Sequence, residues 1–127
     1  MKRVITFGTF DLFHIGHLNI LKRAKEQGDY LIVGVSSDEL NKKKGKVSII
    51  PLNDRIDIVK SIKYVDEVFI EESLELKDQY IKKYGADVLV MGDDWTDKFN
   101  WVSCHVLYLE RTPNISTTLI KSLLNKK

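Results

Sequence analysis

Apolar positions along the chain form short runs that alternate with amphipathic segments. Near-continuous apolar runs occupy residues 4–7, 30–35, 67–70, 87–92 and 104–109. Runs of this length and composition are typical of parallel strands that are covered on both faces. Between them, apolar residues recur at helical spacing in the segments 17–27, 51–62 and 74–84, and a last helix is predicted to begin near residues 116–118.

Strand and helix segments therefore alternate along the sequence. This alternation with short links predicts an α/β fold, namely a Rossmann-like parallel five-stranded sheet with helices on both faces, in a single domain over residues 1–127. In such folds the ligand lies beyond the carboxyl ends of the strands, so we expect functional residues directly after the apolar runs. The lysine-rich residues 41–46 are predicted to form a mobile loop.

Composition narrows the class of protein. The 127 residues are 43% hydrophobic and 30% charged, which is typical of a globular chain. The 20 Lys and Arg nearly balance the 18 Asp and Glu, so the chain lacks the basic excess of a nucleic-acid-binding protein. It has one cysteine, and no apolar run approaches the ~20 residues of a membrane helix. We therefore predict a soluble, cytoplasmic protein without nucleic-acid or membrane partners.

The most informative segment, residues 8–17, joins the first strand to the first helix. Gly8 and Gly16 allow a phosphate to approach the backbone without a Cβ in the way, and a helix start offers free N–H groups to an anion. His14 and His17 are three residues apart, a spacing that can place both imidazoles on one side of the first helical turn. The pattern favours a phosphate site to which both rings donate hydrogen bonds.

Other interpretations of this segment stay open. The Asp11 carboxylate can hold a metal ion or orient a histidine, and the two histidines are also compatible with ordinary surface positions. Zinc is disfavoured, because it needs three or four protein ligands. The remaining candidates, Cys104 and His105, point to opposite sides of the predicted last strand.

A second anion site is predicted after the last apolar run. Arg111 follows that run, and Ser116 and Thr117 suit the N-terminal cap of the next helix. An arginine beside a helix start can clamp a phosphate group that also receives hydrogen bonds from the helix N–H groups.

These two segments carry a family resemblance. Gly8-Thr9-Phe10-Asp11 with His14-Ile15-Gly16-His17 resembles the first signature of the nucleotidyltransferase superfamily, written H-x-G-H. Residues 111–118 resemble its second signature. Within the superfamily, Met91-Gly92-Asp93-Asp94-Trp95 and Tyr64-Val65-Asp66-Glu67 resemble the glycerol-3-phosphate cytidylyltransferases, and the likeness runs nearly end to end.

The resemblance implies transfer of a cytidylyl group from CTP to sn-glycerol 3-phosphate, with release of pyrophosphate. The product, CDP-glycerol, would serve a cell-wall teichoic acid or a capsule polymer. The resemblance further implies Mg²⁺ as cofactor and a homodimer. A phosphate monoester has a second pKa of about 6, so the attacking oxygen is mostly ionised at neutral pH. The site must then supply alignment and positive charge rather than a general base.

The resemblance also implies residue roles. The residues expected to be catalytic are His14, His17, Lys44 and Arg111, and those expected to bind the acceptor are Lys44, Arg55, Asp66 and Lys77. The residues expected to bind the nucleotide are Gly8, Thr9, Phe10, Asp11, His14, Ile15, Gly16, His17, Lys46, Met91, Gly92, Asp94, Arg111, Thr112, Pro113, Asn114, Ile115, Ser116, Thr117 and Thr118. Asp11 is the candidate metal ligand.

Four of these assignments have structural alternatives. Lys77 lies among charged residues and can be one more exposed charge. Arg55 is placed for anion binding near a helix start, but it can equally pair with a nearby aspartate on the surface. Asp66 and Asp94 can hold an amine or a hydroxyl of a ligand, or form caps and loop salt bridges. A carboxylate near the cytosine amino group would favour CTP over UTP.

Departures from the family pattern lie on the acceptor side. Leu74 stands where a tryptophan is expected, Lys63 replaces an arginine, and residues 49–54 replace a tyrosine-containing stretch. Three alternatives stay open: a cytidylyltransferase for another alcohol phosphate, an adenylyltransferase of the FAD or heptose type, and a silent nucleotide-binding module. Residues 51–55 partially echo the adenylyltransferases, whereas residues 91–95 argue against them.

Overall fold

The computed structural model describes residues 1–125, which contain five strands and five α-helices. The strands are β1 (Arg3–Gly8), β2 (Tyr30–Ser36), β3 (Glu67–Glu71), β4 (Val88–Gly92) and β5 (His105–Leu109). The helices are α1 (Ile15–Lys25), α2 (Asp38–Lys43), α3 (Leu52–Lys60), α4 (Lys77–Tyr84) and α5 (Thr117–Leu124). Helices α2 and α3 both lie between β2 and β3, and the link from β4 to β5 contains only a short 3₁₀ turn. Every predicted apolar run forms a strand.

The strands form one parallel sheet in the order β3-β2-β1-β4-β5. In register, Gly8 lies beside Val35, and Thr6 lies beside Val90, whose carbonyl oxygen accepts from the Thr6 hydroxyl (2.6 Å). The chain first adds strands on one side of β1 and then on the other. The chain connections on the two sides therefore diverge between β1 and β4. At such a switch point a crevice forms at the carboxyl ends of the strands.

Helices cover both faces of the sheet, and this confirms the predicted Rossmann-like architecture. On one face, α1 and α3 contribute Leu21, Ala24 and Val59 to a buried apolar cluster with side chains of β1, β2 and β4. On the other face, Ile81 of α4 and Phe99 pack against the alternate side chains of the same strands. The successive side chains of each central strand are thus buried on opposite sides, as their near-continuous apolar sequence requires.

Residues 41–43 of the predicted loop belong to α2, whereas residues 44–46 lie beyond its end, so the loop prediction is wrong for its first three residues. Ser37 caps this helix by accepting from the Leu40 amide (3.0 Å). Asn41 is fully buried, where its side chain accepts from the Thr9 hydroxyl (3.1 Å) and donates to the Ser48 hydroxyl (2.6 Å). Because lysines follow Asn41 in the sequence, composition alone does not indicate that its amide is buried.

Two helix boundaries also differ from the predictions. Helix α1 begins at Ile15, two residues early, because His14 caps it. The predicted helix over residues 74–84 divides into a 3₁₀ turn at Leu74–Leu76 and α4. Among residues 1–125, no helix combines the length and the apolar character needed to cross a bilayer.

Candidate active site

The turn after β1 has a strained backbone. Phe10 and Leu12 have φ values of 54° and 49°, in the left-handed region that costs a non-glycine residue about 1–3 kcal/mol. Contacts from distant parts of the chain hold the turn in place. The Phe10 ring is buried, and the Thr117 hydroxyl at the start of α5 donates to the Asp11 carbonyl oxygen (2.8 Å). The turn therefore ties the first strand to the last helix.

The two histidines form a stacked pair at the start of α1. Their ring centroids are 3.8 Å apart at an interplanar angle of 23°. His14 Nδ1 accepts from the Gly16 amide (3.0 Å), and His17 Nδ1 accepts from the His14 amide (3.2 Å). Because each Nδ1 is an acceptor, this hydrogen-bond network assigns the ring proton to Nε2 on both residues. A Cβ on Gly16 would lie 2.8 Å from His14 Cε1, so glycine is required for this arrangement.

Both histidines are neutral at physiological pH. Burial lowers the pKa of His14. Burial, and secondarily the neighbouring His14, lowers the pKa of His17 to about 3, against a smaller opposing effect of Asp11. The site therefore offers two neutral N–H donors at the start of α1.

Asp11 acts as a clamp on the segment after α2. Its carboxylate accepts from the amides of Ile49 (2.8 Å) and Ile50 (2.9 Å) and lies 3.4 Å from Lys121 Nζ. Burial raises the pKa of Asp11, but the two amides and the Lys121 ammonium together lower it by more, so the pKa is below its usual value. Lys121 also donates to the Val47 carbonyl oxygen (2.9 Å). Asp11 hydrogen-bonds to neither histidine, which corrects the interpretation that it orients one.

A cluster of charges lies at the carboxyl ends of β2 and β3. Lys77 Nζ is 2.8 Å from Glu71 Oε2, and both side chains are 1% exposed. Lys44, at the end of α2, donates to the Ser36 hydroxyl (3.2 Å). Burial lowers the pKa of Lys44 to about 8; Glu71 opposes this shift, while Lys46, Lys77 and Arg55 add to it. Lys77 is thus not an exposed charge, the alternative left open by the sequence.

Arg111 lies on the open side of the site. Its Nε is 3.5 Å from Asp93 Oδ1, and the two side chains are 66% and 43% exposed. Ser116 caps α5 by accepting from the Leu119 amide (3.0 Å), as predicted. An exposed ion pair contributes little to stability, so the Arg111 guanidinium can exchange Asp93 for a phosphate group at small cost.

These segments surround a cavity of about 790 Å³, a volume suited to a nucleotide. The predicted site residues that line it are Gly8, Thr9, Phe10, Asp11, His14, Gly16, His17, Lys44, Lys46, Lys77, Met91, Gly92, Asp94, Arg111, Thr112, Ile115, Ser116, Thr117 and Thr118. Ile15, Pro113 and Asn114 are not among the lining residues, and Ile15 is 53% exposed.

Arg55, predicted to bind the acceptor, does not line the cavity. Its side chain is fully buried and donates to the carbonyl oxygens of Thr9 (2.8 Å), Ser36 (2.8 Å) and Ile50 (2.9 Å) and to the Asp38 carboxylate (2.6 Å). With its donors committed to the chain itself, the guanidinium joins the turn after β1 to α2 and α3. The surface pairing expected as the alternative is also wrong, because the arginine is inside.

Asp66, also predicted to bind the acceptor, lies near the amino ends of the strands, on the side of the sheet away from the cavity. It accepts from the Leu31 amide (2.8 Å) near the amino end of β2 and pairs with Lys25 of α1. The cavity is at the carboxyl ends of the strands. Asp66 is therefore a loop salt bridge and cap, which was the structural alternative for it.

Sequence reasoning missed several polar residues that line the cavity, among them Ser36, Glu71 and Lys121. Ser36 and Glu71 are the last residues of β2 and β3, so a polar residue at the end of an apolar run was the available signal. Lys121 offered none, because its contacts with Asp11 and Val47 depend on how α5 packs.

Comparisons with known proteins identify relatives of this chain. A family model described as cytidylyltransferase-like matches residues 5–123. The glycerol-3-phosphate cytidylyltransferase of Bacillus subtilis (strain 168) is 51% identical over 123 residues, which cover 95% of each chain. The FAD synthase of Pyrococcus abyssi (strain GE5 / Orsay) is 46% identical over 93 residues, or 72% of this chain and 63% of that protein. The lipopolysaccharide core biosynthesis protein of Thermoplasma volcanium GSS1 superposes with a TM-score of 0.73 and 26% identity, over 88% of this chain and 97% of that one.

Proposed function

We propose, from the premise that this chain belongs to the cytidylyltransferase-like family of nucleotidyltransferases, that it transfers the cytidylyl group of CTP to sn-glycerol 3-phosphate. The observation that carries the proposal is the stacked pair of neutral histidines, which lines one cavity together with Arg111 and the start of α5. Near-complete coverage of both chains in the match to the Bacillus subtilis enzyme supports the choice of acceptor.

In the proposed reaction, an oxygen of the acceptor phosphate attacks the α-phosphorus of CTP. The bond from that phosphorus to the bridging oxygen of the β-phosphate breaks, and pyrophosphate leaves with the electron pair. The acceptor oxygen is mostly ionised at pH 7, because its second pKa is about 6, so no group needs to remove a proton. The neutral state of His14 and His17 agrees with this chemistry, since they bind phosphate oxygens as donors.

The cationic groups of the site are assigned to different substrates. We assign Arg111 and the N–H groups at the start of α5 to the CTP phosphates, because both border the cavity that the histidines line. Lys44 lies at the ends of β2 and β3, away from the switch point, and is assigned to the acceptor phosphate. Asp94 follows β4 and lines the cavity, where its carboxylate would accept from the cytosine amino group.

Mg²⁺ belongs to this proposal as a partner of CTP. Among residues 1–125, no three His, Cys, Asp or Glu side chains gather as a metal site, and Asp11 is already engaged by two amides and Lys121. The residues present therefore do not fit a metal ion held by a protein cage, and Asp11 is not retained as a ligand. Mg²⁺ commonly binds through substrate phosphates, and on the triphosphate it would offset the charge of the leaving pyrophosphate.

The proposal extends to cellular context. CDP-glycerol carries glycerol phosphate in activated form, so the reaction that consumes it would build a glycerol phosphate polymer such as a teichoic acid or a capsule. We propose that the chain acts in the cytoplasm, where CTP is available, and as a homodimer, as the family resemblance implies.

An adenylyltransferase of the FAD synthase type is the second candidate. The 46% identity to the Pyrococcus abyssi enzyme favours it, but that match covers only 63% of the relative. The match to the Bacillus subtilis enzyme covers 95% of both chains at 51% identity.

Pyrophosphate release tests the two candidates directly. CTP and ATP would each be supplied with sn-glycerol 3-phosphate, ribitol 5-phosphate, phosphocholine, phosphoethanolamine or FMN, with His14→Ala as the blank. We expect release with CTP and sn-glycerol 3-phosphate. Release with CTP and a different acceptor would retain the chemistry but reject this acceptor. Preference for ATP, or no release above the blank, would reject the cytidylyltransferase assignment.

The pH dependence of acceptor use is a second prediction. The Lys44 ammonium must be charged to hold the acceptor phosphate, and its pKa is lowered to about 8 by burial. We therefore expect kcat/KM for sn-glycerol 3-phosphate to fall as the pH rises through about 8. It should also fall below about pH 6, where the acceptor phosphate regains its second proton. Initial rates at saturating CTP measure both limbs, and a level profile up to pH 9.5 would contradict the role of Lys44.

A further inference from the structure

Four side chains form a hydrogen-bonded relay beside the acceptor end of the cavity. Lys77 Nζ donates to Glu71 Oε2 (2.8 Å), the Ser36 hydroxyl donates to Glu71 Oε1 (3.1 Å), and Lys44 Nζ donates to the Ser36 oxygen (3.2 Å). Ser36, Glu71 and Lys77 are at most 1% exposed, whereas Lys44 is partly exposed. The relay thus runs from a buried ion pair to a lysine that borders the cavity.

The direction of each hydrogen bond follows from the groups involved. A hydroxyl has one hydrogen-bond donor. Ser36 donates it to Glu71, which as a carboxylate can only accept. The lone pairs of the Ser36 oxygen then remain to accept from Lys44. Lys44 uses one of its three N–H donors in this bond, which leaves two for a ligand.

Lys77 is held from three sides. Besides its bond to Glu71, its ammonium lies 3.7 Å from the centroid of the Phe7 ring and 4.6 Å from that of Phe99. To reach a ligand, this ammonium would have to leave a buried ion pair, and breaking such a pair is costly. Its contacts therefore suit a fixed support better than a mobile clamp.

We propose that Glu71 is a positioning residue for acceptor binding, which acts through Ser36 to aim the Lys44 ammonium into the cavity and is itself anchored by Lys77. The proposal rests on the proposed function, because it describes how that site binds an alcohol phosphate. It revises the role of Lys77 from direct contact with the acceptor to support of the relay.

The charges around Lys44 predict how its pKa should change if Glu71 has this role. Burial is the largest effect on the pKa of Lys44 and lowers it, as do Lys46, Lys77 and Arg55. Within residues 1–125, Glu71 is the group that raises this pKa. Removing the carboxylate charge should therefore lower the pKa of Lys44 below about 8. Loss of packing alone would expose Lys44 to water and move its pKa upward, in the opposite direction.

Glu71→Gln tests the proposal, because it removes the charge and keeps the size of the side chain. Glu72→Gln is the matched control, since Glu72 is the exposed neighbour on the same segment. We expect Glu71→Gln to raise KM for sn-glycerol 3-phosphate on the order of 10-fold, the effect of one charge-assisted hydrogen bond, with KM for CTP within about twofold of wild type. The alkaline limb of acceptor kcat/KM should move to lower pH. An unchanged acceptor KM, an equal rise in both KM values, or an unmoved alkaline limb would overturn the proposal.

Ser36→Ala is the second variant, in case Glu71→Gln fails to fold. It cuts the link to Lys44 and leaves the Glu71–Lys77 ion pair in place. We expect a rise in acceptor KM of roughly 3- to 10-fold with KM for CTP unchanged. An acceptor KM equal to that of wild type would overturn the relay.

A direct titration separates this proposal from the proposed function. ¹³C-lysine NMR of the full chain, with Lys44→Arg to assign the resonance, measures the pKa of Lys44 without any turnover. A lower pKa in Glu71→Gln than in wild type supports the relay, and an equal pKa overturns it. If wild type released no pyrophosphate with any substrate pair, the proposed function would fail while this titration still judged the positioning of Lys44.

Discussion

His17→Asn is expected to lower kcat for pyrophosphate release by ~10²–10³-fold, the typical cost of removing one preorganised donor from a transition state. The asparagine amide can replace His17 Nδ1 as the acceptor for the His14 amide, but it does not reach the position of Nε2. Since Nε2 carries the ring proton, the variant loses the donor and keeps the cap. Initial rates under saturating CTP and acceptor measure the loss, and circular dichroism checks that the fold is retained.

Two companion variants give this prediction its controls. His17→Gln places an amide nitrogen near the position of Nε2, so we expect it to retain more activity than His17→Asn. His105→Asn changes an exposed histidine at the start of β5 and should leave kcat unchanged. Equal activity of His17→Asn and wild type would show that the Nε2 donor takes no part in catalysis.

Arg55→Met is expected to lower the free energy of unfolding by ~3–5 kcal/mol, the range for removing one partner of a buried charged network. The methionine side chain replaces the aliphatic stem of the arginine but is shorter and has no hydrogen-bond donors. The carbonyl oxygens of Thr9, Ser36 and Ile50 would lose their hydrogen bonds, and Asp38 would lose its ion pair. Urea denaturation monitored by fluorescence measures the change in free energy.

Lys60→Met is the matched control on the same helix, because Lys60 is exposed at the end of α3. We expect a change within about 0.5 kcal/mol for it. Asp38→Asn should cost less than Arg55→Met, because it weakens one of the four contacts of Arg55 and leaves the three carbonyl bonds. A loss below about 1 kcal/mol for Arg55→Met would mean that water satisfies those carbonyl groups.

The architecture was predictable because burial on both faces of a parallel sheet imposes a visible sequence pattern. Each apolar run is long enough for one strand, and the intervening helices show their own period. Helix α2 escaped prediction for the opposite reason. It has six residues, and all but Leu40 are polar or charged. Its one buried polar side chain, Asn41, hydrogen-bonds to Ser48 in the following segment and to Thr9, which lies 32 residues away in the sequence.

The candidate site was predictable in part. The segments 8–17 and 111–118 lie at the carboxyl edge because each follows a strand, and the cavity brings them together as expected. Arg55 and Asp66 were misplaced for one reason: a charged side chain near a helix start or in a loop looks the same in sequence whether it faces a ligand or another part of the chain. Their partners, Asp38 and Lys25, are far from them in sequence.

The sequence by itself determined the α/β class, the strand runs, the placing of the two signature motifs and the family to which the chain belongs. These depend on local pattern and on contiguous residues, which the order of amino acids displays directly. The tertiary structure alone decided the neutral state of the histidines, the clamp on Asp11, the burial of Arg55 and the relay from Lys77 to Lys44. Desolvation and hydrogen bonding between distant segments set these properties, and neither exists until the chain has folded.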